Sequence, residues 1–135
     1  MGNPLLDLLL AEGVSPDDII IGHCDTVLVD DYCLDMAKTG AFVQLDTFFE
    51  CMKAGKLVEE QLDRRINLIV ALMRAGHHDK ILLAHDAALR ENMSCNGGTG
   101  VAFLPRIVFE RLNQAGINDE EIRHMVVTNP ANALT

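Results

Sequence analysis

Two segments of this chain, EGVSPDDIIIGHCD and AGHHDKILLAHD, follow one order: a glycine that closes a helix, a short acidic turn, an apolar strand, then histidine and aspartate. That repeat constrains the fold more than any other feature. Strands separated by stretches long enough for a crossover helix join into right-handed βαβ units, and such units build a parallel sheet. In parallel α/β folds, ligands and catalytic groups gather where strands end. The polar endings of these strands are therefore where chemistry is expected.

The rest of the chain fits the same alternation. Asn3 and Pro4 open an apolar helical stretch that stops at Gly13, and Ser15 with Pro16 reads as an N-cap and first-turn pair before a strand over residues 19–22. Asp30 or Asp31 caps a helix reaching Gly40, and AFVQLD, residues 41–46, is a second strand followed by an irregular segment. Residues 58–76 carry Leu62, Ile66, Ile69, Val70 and Met73 at helical spacing on one face. KILLAHD, residues 80–86, is the third strand. A loop rich in glycine and asparagine leads to a helix kinked near Pro105, and a terminal helical pair is capped from Asn118 or Asp119. The expected order is αβαβαβα.

Composition narrows the function classes. A chain of 135 residues, 49% hydrophobic and 23% charged, is read as a single domain over residues 1–135 with a real core. A net charge of -9 and scattered Lys and Arg give nothing to attract a phosphate backbone, so no nucleic acid partner is expected. No apolar run reaches the roughly 18–20 residues a membrane span needs, and the leucine-rich start carries acids instead of a basic leader. The expectation is a soluble, cytoplasmic protein with no membrane partner. Cys24, Cys33, Cys51 and Cys95 lie far apart without a CxxC pair, which fits reduced thiols and no zinc ribbon.

Alternation along the strands selects candidate site residues. Phe42, Gln44 and Asp46 share one face of the second strand against Ala41, Val43 and Leu45, and a face with Gln and Asp suits a site. Asp86 goes with Leu82 and Ala84, and His85 with Ile81 and Leu83. His23 counts with Ile19 and Ile21 and Cys24 points the other way, although a bulge would reverse such a count. His23, Asp46 and Asp86 are the convergent set. Asp25 either orients a proton relay or caps a loop. His85 and Asp86 could also cap a following helix, His77 and His78 lie at the amino end of their strand, and NGGTG at residues 96–100 lacks the Lys-Ser/Thr of a P-loop.

GHCD after an apolar strand, TGAFVQLD, RINLIVALMRAGHHDKILLAHD, GGTG and the terminal TNPANAL together resemble the carboxyl-terminal part of phosphotriesterase-family proteins, within the amidohydrolase superfamily. The resemblance covers nearly the whole chain. It implies a partial (β/α)8, or TIM, barrel holding strands six to eight, in a zinc-dependent hydrolase with a binuclear site. By that resemblance His23 is the sixth-strand histidine binding the second metal. Asp86 is the eighth-strand aspartate binding the first metal and accepting a proton from the attacking water, and Asp46 is a strand-seven acid near the substrate pocket. A metal-bound water becomes a nucleophile near neutral pH because its pKa falls from 15.7 to about 7.

The family's first-strand H-x-H pair, fourth-strand carboxylated lysine and fifth-strand histidine have no counterparts here, and Lys38, Lys53, Lys56 and Lys80 end no strand. A full barrel takes about 250 residues. The chain is thus expected either to be a fragment or truncated gene product, or to take the missing amino-terminal barrel portion from elsewhere. One expectation is part of a hydrolase acting on a small-molecule ester, lactone, amide or phosphotriester. The other is a non-catalytic, self-associating αβ module.

Overall fold

The computed structural model describes residues 4–27 and 31–135. Asn3 and Asp30, two of the expected helix-start residues, lie outside them. Helix α1 (Pro4–Ala11) ends before Gly13, whose amide bonds the Leu10 carbonyl. Ser15 accepts from the Asp17 amide and starts a single 3-10 turn, Pro16–Asp18, that feeds strand β1 (Ile20–Ile21). Helix α2 (Tyr32–Lys38) leads to β2 (Phe42–Leu45), and α3 (Glu59–Arg74) leads through a turn to β5 (Ile81–Leu83).

These strands form one parallel sheet in the order β1-β2-β5, with Ile21 opposite Val43 and Leu45 opposite Leu83. The regular strands are shorter than the sequence runs: β1 ends at Ile21, opposite Val43, while β2 continues to Leu45. The expected irregular segment instead contains an antiparallel hairpin, β3 (Met52–Lys53) and β4 (Lys56–Leu57), turning through Ala54 and Gly55 with φ values of 50° and 74°. Two left-handed residues in a two-residue turn match the right-handed twist of the flanking strands.

One face of the sheet carries Val43, Leu45, Ile81 and Leu83 into the main apolar cluster, where Leu62, Ile69 and Leu72 of α3 meet them. Each such fully buried aliphatic side chain contributes about 1.5–3 kcal/mol by leaving water. Phe42, Gln44 and Leu82 stand on the opposite face, outside that cluster, as alternation requires. The chain after β5 runs through a π-helical turn, Leu104–Val108, into α4 (Phe109–Gln114), so the expected kink near Pro105 takes the form of a wider turn. Helix α5 (Asp119–Arg123) starts at Asn118, whose side chain and that of Glu121 cap each other's amides, and a second π-helical turn joins it to α6 (Asn129–Ala133).

The terminal Asn-Pro serves the sheet. Asn129 is fully buried, and its Nδ2 donates to the carbonyls of His78 and Ile81, both at 2.8 Å, fixing the start of β5.

Candidate active site at the carboxyl ends of the strands

His23 and Asp86 follow β1 and β5, and both take left-handed backbone conformations, with φ of 55° and 46°. In each case the strand's alternation stops there. Strict parity would send His23 to the helix side with Ile19, which is buried in the core; the left-handed turn carries it back to the face of Gln44 and Asp46 instead. Gly22 already looks that way, since a side chain placed on it would lie 3.8 Å from Asp46 Oδ2 and Gln44 Nε2. The cost of a left-handed non-glycine residue is of order 1–3 kcal/mol and persists only where surrounding contacts fix it.

Those contacts are specific. His23 Nδ1 lies 2.8 Å from Asp46 Oδ1, and Gln44 Nε2 donates to Asp46 Oδ2. Asp46 itself is 2% exposed, whereas the His23 side chain is 59% exposed. A carboxylate only accepts, so the proton of this bond sits on Nδ1, and a neutral ring then keeps its lone pair on Nε2. The same bond to Asp46 and the Asp46 charge raise the His23 pKa above its ordinary value; burial opposes them, and the charges of Asp86 and Asp25 add lesser upward effects. Asp86 is exposed and near enough to contribute to that field.

Asp25 does cap backbone amides, those just after β2, but from inside the core. It is fully buried, and its carboxylate accepts from the amides of Asp46 (3.2 Å) and Thr47 (3.1 Å), from the Thr47 hydroxyl and from Arg65 Nε at 2.7 Å. Arg65, from the middle of α3, is also fully buried. Its other N–H groups go to Thr47 Oγ1, Glu50 and both the carbonyl and side chain of Gln61, so all five donors are used. The sequence carried a sign of this cluster that apolar spacing alone passes over: Arg65 falls in the buried stripe with Leu62, Ile66, Ile69 and Leu72. A charge in that stripe requires a partner.

His85 lies half-buried just beyond the end of β5. Burial lowers its pKa, partly opposed by a hydrogen bond to the Val101 backbone, and its Nε2 has no partner among the described residues. Cys24 and Cys33 are buried thiols that donate to the carbonyls of Ile21 and Cys24. Burial and the Cys33 thiol push Cys24 far above the usual thiol range, with the contact to Cys33 the larger cause, so it stays protonated. His78 lies at the opposite end of β5, paired with Asp79. The NGGTG loop packs backbone against backbone: a Cβ on Gly98 would sit 2.3 Å from the Glu91 carbonyl oxygen.

The donor set suits a divalent ion, with one imidazole nitrogen and one carboxylate open at the same end of the sheet. Among the described residues no three His, Cys, Asp or Glu side chains are gathered into a metal shell. His23 and Asp86 are thus able to supply part of one.

Residues 1–134 match the Phosphotriesterase family. The phosphotriesterase homology protein of Escherichia coli is 32% identical over 131 residues, a match covering 97% of this chain and 43% of that protein. The phosphotriesterase-related protein of Drosophila grimshawi is 32% identical over 136 residues, with 97% and 39% covered. A crystal structure of the Escherichia coli protein with phosphate in its active site superposes with a TM-score of 0.84 at 28% identity, covering 98% of this chain and 43% of that one. A resiniferatoxin-binding protein from Rhodobacter sphaeroides gives 0.83 at 26%, covering 96% and 37%. The chain therefore spans about two fifths of the length of these relatives, and its three parallel βα units are part of a TIM barrel. With its fold, its strand-end histidine and aspartate and its terminal Asn-Pro all in the matched region, the chain belongs to the phosphotriesterase family.

Proposed function

We propose that this chain supplies the carboxyl-terminal ligands of a metal-dependent, phosphotriesterase-like hydrolase acting on an ester, lactone, amide or phosphotriester. The observation that carries the reading is the His23–Asp46 bond, which leaves Nε2 of His23 free at the same strand ends as Asp86. His23 and Asp86 would hold a divalent metal, zinc first among the candidates, with further ligands from barrel strands outside these 135 residues. When bound, the metal supplies a water acidic enough to attack near neutral pH. Asp86 would be the group that accepts a proton from the attacking water. Asp46 borders the substrate pocket and orients His23 from behind, as carboxylates commonly do for ligating histidines.

Partners follow from the same reading. Exposed Leu5 and Leu8 on α1, Ile20 on β1 and the open edges of β1 and β5 suit the missing amino-terminal strands or, in their absence, self-association. Three buried free cysteines fit a reducing compartment such as the cytoplasm, and no described helix is long and apolar enough to cross a membrane.

The test is hydrolysis of an aryl phosphotriester and a lactone with added Zn²⁺ or Mn²⁺. The chain alone is expected to show no turnover above background. Joined to the amino-terminal barrel segment of a relative it should hydrolyse at least one of them, and Asp86→Asn should remove about a hundredfold or more of that activity. Full activity in Asp86→Asn would eliminate the assigned role. Metal-dependent turnover by the chain alone, lost in His23→Ala, would mean that self-assembly rebuilds a site.

A further inference from the structure

We propose that Arg65 and Asp25 are positioning residues that fix the tautomer of His23 by locking the exit of β2. Asp25 belongs to the turn Cys24–Thr26 directly after His23, while the two amides it binds, of Asp46 and Thr47, are the first after β2 ends. One buried carboxylate thus ties the end of β1 to the end of β2, holding the backbone of Asp46 beside the backbone of His23. The Thr47 hydroxyl closes the arrangement by donating to Asp25 and accepting from Arg65.

With both backbones held, the Asp46 carboxylate has one oxygen for His23 and one for Gln44. Because it can only accept, it forces the proton onto Nδ1. A free imidazole has no such constraint, and its tautomer is set by whichever hydrogen bond its ring makes. The chemistry at the exposed Nε2 is therefore governed from the core, by an arginine on α3 that touches neither His23 nor Asp46. Lysine is no substitute for it: a single ammonium cannot serve Asp25, Thr47, Glu50 and the two Gln61 oxygens from one planar fork.

The inference deepens the hydrolase reading, since a free Nε2 is what a metal would need, but its test requires no metal. Long-range ¹H–¹⁵N correlation on the 135-residue chain, at a pH where imidazole is neutral, reads the tautomer of each of the five histidines. The wild type and Thr47→Ser, which keeps the hydroxyl, should show His23 mainly as Nδ1–H. Arg65→Lys and Thr47→Val should reduce the ratio of Nδ1–H to Nε2–H at His23 at least about threefold, with His77, His78, His85 and His124 unchanged.

An unchanged His23 ratio in folded Thr47→Val overturns the proposal, as does an equal shift at all five histidines, which would signal general loosening. Thr47→Val alters only one hydroxyl, so it decides the matter if Arg65→Lys does not fold. Failure of the hydrolysis assay with the tautomer result intact would sink the hydrolase reading and leave this positioning role standing.

Discussion

Replacing Arg65 with methionine keeps much of the aliphatic stem and removes the guanidinium. Of the groups it leaves behind, Glu50 is 42% exposed and can turn to water at little cost, whereas Asp25 is fully buried and keeps only the Asp46 and Thr47 donors. The loss is therefore set by one buried carboxylate without its cation, a change that costs about 3–5 kcal/mol. Against a total stability of roughly 5–15 kcal/mol, that is a large share, and it corresponds to a fall in Tm on the order of 10–20 °C for a chain of this size. Urea and thermal unfolding followed by circular dichroism, at one fixed protein concentration, measure it. Adding Asp25→Asn to Arg65→Met should recover part of the loss, because a neutral amide still accepts from a backbone N–H and leaves no buried charge. A cost below about 1 kcal/mol for the single variant, or no recovery in the double, would refute the view that this pair couples α3 to the strand ends.

Other consequences can be checked on the same chain. His85 has a folded pKa below its ordinary 6.5 because of burial, so the unfolded chain takes up a proton that the folded one refuses; stability should fall as pH drops below 6.5, and His85→Gln should flatten that slope in urea midpoints. His23 has the opposite sign: its pKa is raised by Asp46, so its contribution is complete below 6.5 and lost as pH rises through the raised value, a small effect at so exposed a residue that His23→Gln should abolish. Asn129→Asp replaces a donor to two carbonyls with a buried charge facing them, and should cost at least about 3 kcal/mol by thermal unfolding.

The parallel sheet was legible because the helix-glycine-strand repeat states it twice, and strand alternation correctly separated Val43 and Leu45 from Gln44 and Asp46. His23 shows the limit of that reasoning. Alternation placed it in one set with Asp46, yet it counts with Ile19, which is buried in the core, and only a left-handed turn, with its hydrogen-bond partner 23 residues away, brings it to Asp46. The Asp25–Arg65 pair joins residues 40 apart on a loop and a helix, so no local pattern announces it. Its one trace is a charge in an apolar stripe. The hairpin formed by β3 and β4 was missed because each arm has only two residues, too few for alternation to register.

Asn129 also sets an order of events. Its two carbonyl partners lie 48 and 51 residues earlier in the chain, so as synthesis proceeds the start of β5 emerges long before the side chain that secures it. Contacts of such separation are slow to form, and an uncapped parallel strand with an open edge is a template for pairing with other chains. The interval between the emergence of β5 and the arrival of Asn129 is thus a window of exposure during translation. Slower elongation between residues 83 and 129 would lengthen it, and a chaperone that covers apolar strands would be of most use then.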